Sequence, residues 1–394
     1  MKIKHFITLA LIAFTFFNCE KDNVLAPETE VPALETLPDL SKGITPYLTA
    51  EEKAFFQASE LKELNQLVKF PEAQLDFRSG NVVEVPADSE DALAEAILEA
   101  GEGGTVILKA GMHTESSSVV IPFSNLTLRG EEGAVLKVQT QVLSQIGFAD
   151  PAIYIFEAHN ARVIGIDLQA NEPYGGTGIL IQDSEKVLVS QNSISGFQFG
   201  VAINYADYAR VMFNDIVTPI EWSTGTLASA IGIAVGNGTN ARIIGNSCSN
   251  ALFGIFASDD RGFLLGNTLN QNLYGLILCK LVGGGATTPN NVSIDALVSA
   301  QNWMTIYNTA EENGSVGYLV IDGANHNYLN NNFAENNGAY DIELAGASDR
   351  FGFPMPPCAN NRVFVRAGQT VKNCGDNNFV RGGIAIDTSE DTCM

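Results

Sequence analysis

GILIQ (178–182), GVAIN (200–204), GIAVG (232–236), GIFAS (254–258), GLILC (275–279) and GYLVI (317–321) recur along one chain at a spacing of about 22 residues. Each run opens on glycine and then alternates, which is the period of a half-buried strand. Within each unit a second apolar segment follows (KVLVSQ, ARVMF, ARIIG, GFLLG), then an asparagine, then a third short segment (SIS, DIV, SCS, TLN). A unit therefore carries three short strands. No single unit can bury its apolar face alone, so successive units must stack about 4.8 Å apart around one continuous core. This pattern predicts an all-β chain, a right-handed parallel β-helix solenoid with three strands per coil, and it places Ile179, Ile181, Val201, Ile203, Ile233, Val235, Ile255 and Ala257 inward.

Asn192, Asn214, Asn246 and Asn331 each lie fourteen residues after a run-opening glycine, and Asn267 lies thirteen after Gly254. Asparagine tolerates left-handed backbone, and its amide can bond an equivalent one coil away. These five are expected to form a structural ladder at the bend between the second and third strands. Cys248 follows at an inward position and is expected to be a buried apolar side chain. Cys279 falls at an outward position, where the register brings no His or Asp for a metal.

The chain has 394 residues, 45% of them apolar, and a net charge of −23. Such a surface repels phosphate, which excludes nucleic acid as a partner and counts against polyanionic sugars unless calcium bridges the charges. Calcium is thus the one cofactor the composition leaves open. The first residues, MKIKHFITLALIAFTFFNC, form a basic and then apolar leader too short to span a membrane, ending at Cys19.

That leader resembles the signal of a bacterial lipoprotein, with Cys19 as the lipidated residue. Phe16, Phe17 and Asn18 depart from the usual approach to that cysteine, a looseness familiar in Bacteroidetes-type lipoproteins. The resemblance implies a cell-envelope location, anchored in the outer membrane and facing the periplasm or the exterior. Residues 1–18 are then the signal, 19–46 a proline-rich acidic tether, 47–80 an N-terminal helical segment, 81–350 the β-helix and 351–394 a cysteine-containing C-terminal cap. Within the helical segment, TAEEKAFFQASELKELNQLVK (49–69) has a threonine cap and Phe55, Phe56, Leu61, Leu64, Leu67 and Val68 at helical spacing. A further helix is predicted over Ser89–Ala100, capped by Ser89 and ended by Gly101. Export permits one disulfide among Cys358, Cys374 and Cys393, with the pair left open.

The segment GGTVILKAGMHTESSSVVIPFSNLTLRGEEGAVLKV resembles the opening of pectin-lyase-like β-helices, and the likeness runs from about Val82 to about Gly346. It implies a polysaccharide-binding groove over the first-strand face and, for an enzyme, a polysaccharide lyase, glycoside hydrolase or epimerase. Two insertions, Pro219–Ala230 and Lys280–Ser315, border that face. They carry Trp222 and Trp303, which suit sugar stacking or packing on their own scaffold.

Where strand turns into loop, the register lines up Asp183, Tyr205, Asn237, Asp259, Lys280 and Asp322, next to Asp260 and Arg261. Asp259 and Asp260 are candidate acid, base or calcium ligands, with Arg261 and Lys280 as anion-holding groups. Asp183, Tyr205, Phe256, Asp322, Trp222 and Trp303 are the candidate substrate contacts. The competing reading makes Asp259 and Lys280 an ordinary ion pair at a turn. Of the galacturonase-like elements only Asp259-Asp260 has a counterpart. The Asp-Pro-His signature of alginate epimerases and the Arg-x-Pro-x-x-Arg segment of pectate lyases are absent. A non-catalytic surface scaffold, its apolar first-strand face packed away, is the alternative to a polysaccharide-binding protein.

Overall fold

The computed structural model describes residues 80–140, 150–173, 175–219, 230–279, 300–347, 355–386 and 393. Three strands per coil stack in parallel register into a right-handed β-helix with three long faces. In the first-strand sheet the inward column runs Ile179, Val201, Ile233, Ile255, Leu276, Tyr318 and Ile342. In the second it runs Val163, Val189, Val211, Ile243, Leu264, Thr305, Leu329 and Val363. In the third, Leu168, Ile194, Ile216, Cys248 and Leu269 follow one another. All of these are buried, and each aliphatic member contributes about 1.5–3 kcal/mol by leaving water. Cys248 is inward, as the pattern predicts.

The glycines that open each run are explained by stacking. A Cβ on Gly178, Gly200, Gly232, Gly254 or Gly275 would strike the carbonyl oxygen of the equivalent glycine in the next coil. Only a residue without a side chain lets the coils approach there.

The asparagine ladder is present, longer than expected and shifted at one end. Asn192, Asn214, Asn246, Asn267, Asn308 and Asn332 are linked in series, each Nδ2 reaching the Oδ1 of the next at 2.8–3.0 Å. Asn331, the expected member, instead has φ +51° and lies beside the ladder. The coil opened by Gly317 carries one extra residue in its first bend, so the ladder position falls at Asn332. Asn308 was hidden because residues 280–299 separate it from its glycine. The other two corners carry ladders of their own, Asn272–Asn313–Asn337 and Asn327–Asn361–Asn378.

The expected N-terminal helix is shorter than predicted, spanning Leu93–Ala100. Ser89 is not its cap; its hydroxyl bonds His113 Nδ1 at 2.9 Å. The carboxylate of Glu115 takes over that work, accepting from the Ala92 and Leu93 N–H groups at 3.0 Å each. Gly101 ends the helix, its N–H donating to Ile97. Leu93, Ala96, Ile97 and Ala100 pack over the first coils and cover that end of the core.

At the other end, parallel strands continue through Arg362–Asn373 and Phe379–Ala385, inside the stretch expected as a cap. The bridge there is Cys374–Cys393, while Cys358 stays a free, buried thiol. Of the two expected insertions, residues 220–229 and 280–299 lie outside the described residues, and what flanks them is described. Residues 220–229 follow a third strand (Asp215–Val217), whereas residues 280–299 leave the end of a first strand (Tyr274–Leu278). From Ala300 the chain is a regular coil again, with strands Met304–Ile306 and Thr309–Glu311. Cys19, the tether and the Thr49–Lys69 segment lie outside the described residues, as do Trp222 and Lys280.

Candidate functional site

The outer face of the first-strand sheet, expected to floor a groove, is largely buried over its middle coils. Ala202, Ala234, Ser258, Ile277, Cys279, Leu319 and Ile321 all point outward by alternation, and all are buried. Cys279 packs with Ile277, Val316, Leu319, Ile321 and Ala345 rather than meeting solvent. Burial raises its thiol well above the ordinary value, and the charge of Asp322 adds to that rise. Thus the register does bring an aspartate near this cysteine. Asp322 itself is buried, with φ +57°. Phe256 is half-buried against Phe253, ring centroids 5.7 Å apart.

The chemistry that does reach the surface lies along the first bend, between first and second strands. Two columns of left-handed residues run up this edge. One holds Glu157, Asp183, Tyr205 and Asn237, at φ +49° to +57°. The other holds Asn160, Lys186, Tyr208, Asn240, Arg261, Asn302, His326 and Asn360, at φ +55° to +61°. In the second column each N–H donates to a carbonyl of the next coil, as Lys186 does to Asp207 at 2.9 Å and Tyr208 to Thr239 at 2.8 Å. His326 therefore belongs to the bend and not to the second strand, which begins at Tyr328.

Tyr205 and Tyr208 stand out on this edge, 41% and 45% exposed. Positive φ is a costly conformation for an aromatic residue, and two occur in one bend. Around them is a row of hydrogen-bonding groups. Asn237 Nδ2 donates to Asn204 Oδ1 at 3.0 Å, and Thr239 Oγ1 to Asp207 Oδ1 at 2.9 Å. Gln182 Nε2 donates to Asp183 Oδ2 at 3.2 Å and its Oε1 accepts from Tyr154, which stacks on Phe156. Tyr205 and Asp183 are where the sequence placed them. Tyr208 was missed, although a tyrosine at a position that repeats as asparagine was a visible signal.

The acidic cluster is split by the fold. Its bend is one residue shorter than its neighbours, the deficit that appears in the sequence as thirteen-residue spacing to Asn267. Thr239 consequently pairs with Asp260, and Asp259 drops into the inward column that elsewhere holds Ser184, Ala206, Gly238, Ala300 and Ala324. Asp259 is buried; Oδ2 accepts from Gly238 N–H at 2.7 Å and Oδ1 from Asp260 N–H at 3.0 Å. Burial outweighs both bonds and pushes its carboxyl up to about 7. Asp260 stays at the edge, accepting from Arg261 Nε at 3.1 Å and Asn302 Nδ2 at 2.8 Å.

Trp303 is not a surface platform. It is 1% exposed, with Nε1 donating to the Asp259 carbonyl at 3.0 Å. Its ring fills the space left by Gly262, where any Cβ would collide with it.

The NosD family, described as a periplasmic copper-binding protein, matches residues 113–293, under half of the chain. No curated protein matches. Among solved structures, the A-module of mannuronan C-5 epimerase AlgE4 from Azotobacter vinelandii is similar at 12% identity and a TM-score of 0.51, covering 76% of this chain and 92% of that one. Pectate lyase Pel9A is similar at 12% identity and 0.50, covering 78% and 79%. A family 28 exopolygalacturonase of Yersinia enterocolitica is similar at 11% identity and 0.50, covering 79% and 76%. These likenesses establish the pectin-lyase-like β-helix fold.

Copper does not fit the donors among the described residues. Among the described residues no three His, Cys, Asp or Glu side chains converge as a metal site. The described histidines sit apart in separate coils, each engaged. His113 lies between Ser89 and the Lys109 carbonyl, His159 Nδ1 accepts from Glu185 N–H, and His326 bonds Asn325. Cys248, Cys279 and Cys358 are buried free thiols, each raised by that burial.

Proposed function

We propose that this chain is an exported protein of the cell envelope that binds a polysaccharide along the first-bend edge, with Tyr205 and Tyr208 as the stacking platform. The observation that carries the proposal is the pair of exposed rings held at positive φ among amide, hydroxyl and carboxylate groups. Sugar rings present apolar faces to aromatics and hydroxyls to such polar groups. Coils about 4.8 Å apart carry the polar side chains of Asp183, Lys186, Asn237 and Asn240 on either side of the two rings, which suits an extended chain better than a small molecule. The similar structures named as an epimerase, a lyase and a galacturonase, and the periplasmic description of NosD, accord with this reading. Any processing would fall to the exposed Arg261 and the partly buried Asp260 beside it, since Asp259 is sealed inside. A lipid anchor at Cys19 would hold the protein at the membrane.

The test is affinity electrophoresis against a panel of neutral and acidic polysaccharides. Tyr205→Ala and Tyr208→Ala should each weaken binding of a retarding polysaccharide by about 1–2 kcal/mol, five- to thirtyfold. Full binding by both variants would refute the platform. A scaffold function is the second reading, favoured by the largely buried outer face of the first-strand sheet. It predicts no retardation by any glycan.

A further inference from the structure

The second-strand sheet has an open edge at each end of the solenoid. Among the described residues its first strand, Val82–Val85, pairs only with Thr105–Leu108. Its last, residues 379–382, pairs only with residues 362–365. In a parallel ladder alternate residues bond to opposite sides. Thr105 N–H donates to the Asn81 carbonyl, and Phe379 N–H to the Asn361 carbonyl. The backbone groups of Val82 and Glu84 therefore face off one end of the molecule, and those of Val380 off the other. Such edges template further pairing, and here they also carry exposed apolar side chains, Val82 at 63% and Phe379 at 39%.

We propose that these two edges pair with each other between copies of this chain, so that the protein assembles head to tail. The ladder column that opens at Val82 runs through Thr105, Arg162, Arg242 and Tyr328 and ends at Phe379. One further step of about 4.8 Å in the same register sets Phe379 against Val82 of the next copy, Val380 against Val83, and Arg381 against Glu84. The first pair joins two exposed apolar side chains. The second joins two valines that are only partly buried against the core, and so continues that core. The third joins opposite charges; Glu84 bonds Lys109 at 2.8 Å, yet its side chain stays 58% exposed. Val82 N–H would donate to the Asn378 carbonyl, Val380 N–H to the Val82 carbonyl and Glu84 N–H to the Val380 carbonyl, repeating the pattern between Thr105 and Asn81.

The first-strand sheet fits the same joint. Its last rung, residues 384–385 on residues 370–371, leaves Ile384 exposed. At the other end the helix Leu93–Ala100 packs by Val119–Ile121, in the place of a first strand, and in the next copy it would lie over that rung. Charge agrees as well. Residues 80–104 carry many acids, among them Glu84, Asp88, Glu95 and Glu99, and no lysine or arginine. Residues 355–386 carry Arg362, Arg366, Lys372 and Arg381 with Asp376 as their one acid, in a chain where acids outnumber cations 45 to 22. A contact that uses a different surface on each copy and keeps one axis does not close, so it builds an open filament.

The test is analytical sedimentation of the full chain over a range of concentration and salt. Mass should climb with concentration past that of a dimer and fall as salt is added. Glu84→Arg and Arg381→Glu should each weaken association about tenfold, and both reversals in one chain should restore it. A single chain at every concentration overturns the proposal. So does a mass that stops at two, which would mean that an end pairs with its own kind, and so does association that ignores both reversals. A crosslink decides where a reversal disturbs folding. Chains carrying Val82→Cys and chains carrying Phe379→Cys, both with Cys19→Ala, should form a disulfide-linked dimer on oxidation when mixed, and neither should do so alone. Linkage by either variant alone, or none in the mixture, overturns the head-to-tail joint.

Discussion

Asp259 offers the sharpest check on how the bend is built. The folded chain holds its proton up to about pH 7, whereas an unfolded aspartate releases it near the ordinary value of 3.8. Between those values the native state binds more protons than the unfolded one, so stability falls as pH rises, by at most about 1.4 kcal/mol per pH unit. Across the window the loss integrates to about 4 kcal/mol, complete by about pH 8. The structure also supplies the replacement. Ser184 occupies the same inward column two coils before Gly238, and its hydroxyl accepts from Ala158 N–H at 3.0 Å, as Asp259 Oδ2 does from Gly238. Asp259→Ser should therefore keep the bond to the preceding coil while removing the titration. Urea unfolding of both proteins from pH 4 to pH 8.5 measures it: the difference between their stabilities should swing by about 4 kcal/mol toward the variant as pH rises. Subtracting the variant cancels contributions from Glu115 and Glu311, whose carboxyls burial also raises. Parallel pH profiles would refute the inward placement. Loss of glycan binding in a fully stable Asp259→Ser would instead return Asp259 to the site.

Asn246→Leu should orphan the Asn214 N–H and the Val211 carbonyl, both bonded by that side chain, at a cost of about 2–5 kcal/mol in chemical denaturation. Asn332→Leu should cost similarly and Asn331→Gly almost nothing; the reverse order would mean the ladder register is misplaced. Cys19→Ala should shift the protein from the membrane to the soluble fraction, and unchanged fractionation would remove the proposed anchor.

The fold was legible because its period is written in residues that only stacking explains, glycines under a neighbouring carbonyl and asparagines bonded to their equivalents. What failed to show in the sequence depends on chain that the period does not count. Insertion 280–299 hid Asn308 and made Trp303 look like part of a loop, although it plugs a regular coil. Glu115 caps a helix more than twenty residues before it, a contact that no local capping pattern announces. At the candidate site the sequence aligned Asp259 with Asp183 and Tyr205 by counting forward from the glycines. The missing residue in that bend, already visible as thirteen-residue spacing, turned it inward.

The second left-handed column explains why family signatures say so little about this chain's chemistry. Its backbone is fixed at φ near +57° by bonds to the next coil, whatever side chain is mounted there. Asparagine is the residue such a position favours, and Asn160, Asn240, Asn302 and Asn360 supply it; Lys186, Tyr208, Arg261 and His326 occupy the same geometry at a conformational cost. Function on such a scaffold is then a matter of which rungs depart from asparagine, and no contiguous motif is required. This makes opposite predictions for stability and binding at one residue. Tyr208→Asn removes the strain of an aromatic at positive φ, so it should raise stability by about 0.5–1 kcal/mol. The same change deletes half of the stacking platform and should weaken polysaccharide binding five- to thirtyfold, about 1–2 kcal/mol. Denaturation and affinity electrophoresis on one preparation read both. A variant that is less stable than the parent would show that Tyr208 is held by packing, and one that binds undiminished would show that its ring is not part of the site.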